Sequence, residues 1–294
     1  MPLQDDDIFV VGYGGWTSIA CMPSGTPLHN ASSVGALPFK GRLVQVTAAS
    51  VQRQMNVPQV QSYYTPYLKS DTVRSPIRVG YGTYVFTGEL SFELTECMAD
   101  EMLRDDFFER SSWFSLQFFD GQNTCCVTNC FWSSVGITCN PNATVTASIS
   151  FSSNNGYQSN LQVTRGNLDE SYTYDDNDFL VPYWQCGHDG FKEFSINISR
   201  DVTPIFLNGP LLTASYLKPG IPSISANATT VEFIDFGHFN NLRIYIGRRH
   251  HVTMHDAFLQ SKAYHMSSMG DTGEKSYVWN AMRDDARKRI FSIG

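Results

Sequence analysis

The sequence predicts a mainly β protein, and three observations carry that prediction. Apolar residues alternate with polar ones at period two in several runs, among them Leu43 to Thr47, Val85 to Leu94 and Phe191 to Ser199. The chain holds 20 Phe and 14 Tyr, residue types that strands favour. Gly- and Pro-rich breaks separate the runs at short intervals, and a single segment shows strong helical spacing. At 294 residues the chain can form two ordinary domains or one large β domain.

Residues 1–40 are rich in Gly, Pro and Ser and read as an extended N-terminal arm, with a short strand at Ile8 to Val11. With little core of its own, such an arm is expected to pack on a neighbouring subunit. From Leu43 the alternation begins, and a second strand runs through Val51, Arg53 and Met55 to Val57-Pro58. The Tyr63-Tyr64-Thr65-Pro66-Tyr67 stretch is too broken by Pro to be a central strand. Ile77 to Val79 and Thr83 to Leu94 read as a β-hairpin turning at Gly80-Tyr81-Gly82.

Glu96 to Arg110 breaks the pattern. Thr95 is a suitable N-cap, and Met98, Met102, Leu103 and Phe107 fall on one helical face with acidic residues opposite. Strands then resume at Ser112 to Phe119, Cys125 to Trp132, Val135 to Cys139 and Thr144 to Phe151, with Asp120-Gly121 as a turn. The polar stretch 152–178 reads as a domain boundary, which divides the remainder into a first β domain at 41–165 and a second at 166–294. In the second, strands are expected at Phe191 to Ser199, Thr229 to Phe236 and Leu242 to Ile246, and a short helix at Asp256 to Tyr264. Tyr277 to Ile293 reads as a basic amphipathic end.

Composition narrows function. Charged residues are 17% of the chain against 42% apolar, which fits extensive protein–protein burial, since interface cores are poor in charge. A net charge of −7 argues against a grip on phosphate backbones. Met1 to Asp7 has no positively charged start or apolar core, and no apolar run approaches the ~18 residues of a membrane span, so the seven cysteines are expected to be reduced thiols.

Catalytic and metal motifs are absent from the sequence. Cys125, Cys126, Cys130 and Cys139 lack the paired spacing of a zinc site, and His250, His251 and His255 lack the Glu of a metalloprotease helix. Gly12-Tyr13-Gly14-Gly15 and Gly80-Tyr81-Gly82 are not followed by a phosphate-cradling helix. There is no G-x-S-x-G elbow and no distinctive carboxylate pair. No catalytic, cofactor or metal residue is therefore assigned, and the chain is expected not to be an enzyme.

Both halves share an order of features. An alternating strand runs into Val57-Pro58 in one and Thr203-Pro204 in the other. A loop, Ser75-Pro76 or Ile221-Pro222, and a strand with Thr83 and Val85 or Thr229 and Val231 follow, and all four identities lie 146 residues apart. This arrangement resembles the tube-domain superfamily of phage tails and contractile-injection tubes. The matching positions are Val51 to Pro58 with Ile77 to Leu94, Ser195 to Pro204 with Ile221 to Phe236, and the flanking helix at Glu96 to Arg110. The match covers about half of the chain, and a single tube domain has about half of this chain's length.

The resemblance implies two related β-sandwich or partial-barrel domains with a short flanking helix. It implies a virion protein, assembled in the host cytoplasm, that builds stacked trimeric or hexameric rings through which DNA passes unbound. Sheath, baseplate or terminator proteins are the expected partners, with no membrane and no cofactor. Glu89, Glu93, Glu232 and Asp235 are then candidates to line the lumen, which should be hydrophilic and negative. Asp5, Asp6 and Asp7 against Arg283, Arg287, Lys288 and Arg289 are candidates for contacts between rings. The rival readings are a tail-end, hub or tube-initiator ring and, in other classes, a carbohydrate-binding β-sandwich using Trp16, Trp132 and Trp184, or a hydrolase on a β scaffold.

Overall fold

The structure is a computed structural model, and it describes residues 16–22, 27–28, 42–44, 46–56, 59–60, 78–79, 83–119, 124–159, 172–180, 191–207, 213–230, 236–265, 273–281 and 289–294. The protein is mainly β, as the alternation predicts. Its first half holds β1 (Trp16–Met22), β2 (Arg42–Val44), β3 (Val46–Asn56), β4 (Gln59–Val60), β5 (Arg78–Val79), β6 (Thr83–Glu93), β7 (Trp113–Phe119), β8 (Thr124–Cys139) and β9 (Thr146–Ser159). Its second half holds β10 (Phe179–Leu180), β11 (Phe191–Ser199), β12 (Val202–Ile205), β13 (Tyr216–Pro219), β14 (Ser223–Thr230), β15 (Phe239–Ile246), β16 (His250–His265), β17 (Glu274–Ala281) and β18 (Phe291–Ile293).

Two short helices, α1 (Glu96–Met102) and α2 (Asp105–Phe108), occupy the segment with helical spacing. Thr95 caps α1 by accepting a hydrogen bond from the Met98 amide at 3.3 Å, and Met98, Ala99 and Met102 are buried. The helix breaks at Leu103 and Arg104, so Glu96 to Arg110 is two pieces rather than one. Phe107 and Phe108 of α2 face Phe114, Trp132 and Phe291, which carries the core from the first half into the C-terminal strand.

Among the described residues fourteen strands join in one sheet, and the two halves pair in the same order. In the first, β3 pairs β6, β6 pairs β9, β9 pairs β8 and β8 pairs β7. In the second, β11 pairs β14, β14 pairs β17, β17 pairs β16 and β16 pairs β15. The irregularities correspond as well. The β3/β6 register slips between Val46 and Ala48, and that of β11/β14 between Phe191 and Glu193. The β8/β9 register slips between Trp132 and Ser134, and that of β16/β17 between Leu259 and Ser261. Alignment on those slips sets Asn129 on Asp256, and both have left-handed backbone, at φ 55 and φ 51. Asn and Asp are the side chains that tolerate this conformation best after Gly.

Several expectations change. The uniform spacing of 146 does not mark equivalent positions. The slips place Ala48 on Glu193 but Ser91, not Thr83, on Thr229, because the connection 61–77 between β4 and β5 is longer than 206–215 between β12 and β13. Length differences collect in loops, where no ladder is disturbed. Gly80-Tyr81-Gly82 lies outside the described residues, and the strands on either side of it, β5 and β6, pair with β4 and β3 rather than with each other. Asp256 to Tyr264 is strand, not helix, because β15 and β17 supply its hydrogen bonds. Residues 152–159 of the polar stretch belong to β9. Within the N-terminal segment, Trp16–Met22 pairs with β7 along its full length, and Ile19 is buried; Ile8 to Val11 lies outside the described residues.

Candidate assembly edges

The two halves meet edge to edge. Strand β8 is 16 residues long, and its second edge is shared: Thr124–Cys130 pairs β7, while Ser134–Cys139 projects past β7 and pairs β11. Val135, Ile137, Ile196 and Ile198 are buried on the core face of this joint, each at most 2% exposed. On the other face β12 and β13 fold over β8. There Phe131 and Trp113 pack with Ala214 and Leu217 in a separate apolar cluster. The Asn154 amide fixes that cover by donating to the Ala214 carbonyl at 3.2 Å, and the Ala214 amide donates to the Tyr84 carbonyl at 3.2 Å.

Arg200 pins the joint at the end of β11. Its guanidinium lies 3.6 Å from the centre of the Trp132 ring, its Nε donates to the Trp132 carbonyl at 3.0 Å, and its Nη1 donates to the Glu109 carbonyl at 3.2 Å. Burial, with Arg110 nearby, pulls its pKa down to about 9, still high enough to keep it charged at neutral pH. Arg200 Nη2 is buried without a hydrogen-bond partner among the described residues. A charge held this way resists sliding of β11 along β8, because any shift leaves it buried and unpaired.

Glu89 is exposed on β6, in a cross-strand row running Ser50, Glu89, Ser150, Ser134, Ser199 and Ser223 from one half into the other. The row carries hydroxyls and one carboxylate, and the Ser199 and Ser223 hydroxyls are 3.0 Å apart. Glu93 is half-buried and accepts from the Thr144 hydroxyl at 3.4 Å. Glu232 and Asp235 lie outside the described residues, as do Asp5, Asp6, Asp7, Arg283, Arg287 and Lys288. Arg289 is described, and its guanidinium reaches Asp105 of α2 at 2.6 Å, while the Ile293 amide donates to the other oxygen of the same carboxylate at 3.1 Å. A cavity of about 270 Å³ lies beside this ion pair, lined by Phe108, Arg110, Ile221, Pro222, Ile290 and Phe291.

The thiol group is buried: Cys125, Cys126 and Cys130 are 0% exposed and Cys139 is 8% exposed. Burial pushes Cys130 well above the ordinary thiol range and, with Asp176 and Asp175, Cys139 to about 11. The histidines sit on a strand and part company: His250 contacts Asp100 of α1 at 2.9 Å, and His255 contacts Asn241 and Ser292. Among the described residues no cluster of His, Cys, Asp and Glu is arranged to hold a metal, and no helix is long and apolar enough to cross a membrane. Trp132 is fully buried and offers no face to a sugar; Trp184 lies outside the described residues.

No protein-family model matches the chain, and no curated protein matches it. The joint between halves was not foreseen from sequence. The parallel between Asn129-Cys130-Phe131 and Asp256-Ala257-Phe258 marks the correspondence of β8 with β16, not the ladder between β8 and β11.

Proposed function

We propose that the chain is a structural subunit of a phage tail tube, with two tube-like β units that self-assemble into stacked rings around a lumen for DNA. One observation carries the reading: two strand arrays with the same order and the same register slips already sit side by side through the β8–β11 ladder. A ring repeats such a heterologous contact until it closes, and closure covers strand edges that otherwise template aggregation. The hydroxyl-rich row that contains Glu89 supports a lumen wall, since a row without Lys or Arg offers no phosphate grip. Low overall charge fits subunits buried against copies above, below and beside them.

Negative-stain electron microscopy of the purified protein tests this reading. Long open-ended tubes are the expected result, and isolated rings would move the assignment to a tail-end component. A monomer that persists at high concentration, with neither tubes nor rings, overturns it.

A further inference from the structure

The two halves differ at one place in a way that their shared design does not require. In the first half, the end of β8 is covered on its edge by β11 and on its outer face by β12 and β13. Among the described residues, the aligned end of β16 has neither cover. Strand β15 pairs only His250–Ala257, so past Phe258 β16 is paired along one edge by β17 and along the other by no described strand. The exposures follow. Phe131 is 6% exposed and Ile137 2%, whereas the aligned Phe258 and Tyr264 are 48% and 61% exposed.

The complementary surface is on the same chain, but at the other end of the array. Strand β11 aligns with β3, and the edge that β11 gives to β8 is, on β3, paired by no described strand. The pair β4/β5 follows β3 in the chain order in which β12/β13 follows β11.

We infer that residues 260–265 of β16 and the open edge of β3 form the subunit seam: β3 of a second copy pairs antiparallel with the end of β16, and β4/β5 of that copy covers Phe258. The partner is thus another copy of this chain, and the inference rests on the ring reading proposed above. Transfer of the β8–β11 register pairs Ala263 with Gln52 and Tyr264 with Val51 of the second copy. The unfavourable pair in that register is Lys262 opposite Arg53; each cation already lies over a ring of its own unit, Arg53 at 4.8 Å from the centre of Tyr84 and Lys262 at 5.0 Å from that of Tyr264. The contact is heterologous, so each copy keeps one edge of each kind, and a ring closed by it contains an even number of like β units. An open strand edge flanked by exposed aromatics, in a fold that buries the same positions elsewhere, has a second copy of itself as its natural cover.

Cross-linking of the full-length protein tests the seam. Ala263→Cys and Gln52→Cys, each made separately, should give a disulfide-linked dimer only when mixed under oxidising conditions. The double variant should give a ladder on non-reducing gels that stops at the number of copies in a ring. A cross-link from Ala263→Cys to Ser50→Cys in place of Gln52→Cys also supports the seam, with the register displaced by two residues. Phe258→Glu and the milder Phe258→Ser should keep the unfolding midpoint of the wild type yet reduce ring formation at least tenfold. If the wild type forms rings while neither cross-link appears and both Phe258 variants assemble normally, the seam is wrong and the ring reading survives. If the wild type stays monomeric at high concentration, both fall.

Discussion

Replacement of Arg200 by Ala perturbs the joint where its supports are most concentrated. The guanidinium makes two hydrogen bonds to backbone carbonyls and covers the Trp132 ring at 3.6 Å. Hydrogen bonds that involve a charged partner contribute about 1.5–3 kcal/mol each. A desolvated cation–π contact adds about 2 kcal/mol. Against this gross gain of roughly 5–8 kcal/mol stands the cost of burying the guanidinium, with Nη2 unpartnered, which recovers several kcal/mol when the side chain is removed. A net loss near 3 kcal/mol is expected. With a urea m-value of about 3 kcal/mol/M, the midpoint moves down by about 1 M. Tryptophan fluorescence during urea unfolding is the direct assay, because Trp132 is itself the covered ring. Arg200→Lys should recover less than half of the loss, since an ammonium lacks the planar fork and stacks less well. A midpoint shift under about 0.2 M for Arg200→Ala, or full recovery with Lys, would refute the view that this guanidinium locks the two halves.

Three further outcomes follow from the packing. Gly88 has no room for a side chain, since a Cβ there would run into the Ser50 carbonyl oxygen and lie 2.6 Å from Cζ of Phe151; Gly88→Val should cost about 1–3 kcal/mol or more by overpacking, read from chemical denaturation. Burial first, then Glu101, holds Cys21 up at about 12, and burial holds Cys130 well above the ordinary thiol range, so iodoacetamide at pH 8 should leave both unmodified in the native protein, as mapped by mass spectrometry. Both raised values mean that the folded state holds protons which the unfolded thiols release above their ordinary value of 9.0, so stability should fall as pH climbs from about 9 toward 12, and Cys21→Ser should flatten that fall. Deletion of residues 1–40 removes β1, uncovers the β7 edge, and should yield a protein that precipitates or associates nonspecifically by light scattering; a soluble protein with wild-type stability would show that β1 is dispensable.

The sequence alone determined the class of fold and one cap. Period-two runs such as Phe194, Ile196 and Ile198 fixed which face of a strand is buried, because alternation is a local property of the backbone. Thr95 and the apolar residues after it fixed where a helix starts, since a cap needs only its own neighbours. The same locality produced the errors. Asp256 to Tyr264 carries helix-like spacing on paper, and only hydrogen bonds from the distant β15 and β17 make it a strand. The true correspondence of the halves was hidden by unequal loops, and only the matched register slips and the paired left-handed Asn129 and Asp256 revealed it. The joint, the Arg200 lock and the uncovered end of β16 belong wholly to tertiary structure. Strand edges find partners tens of residues away, and the period of a strand says which face is apolar but never what lies along its edge.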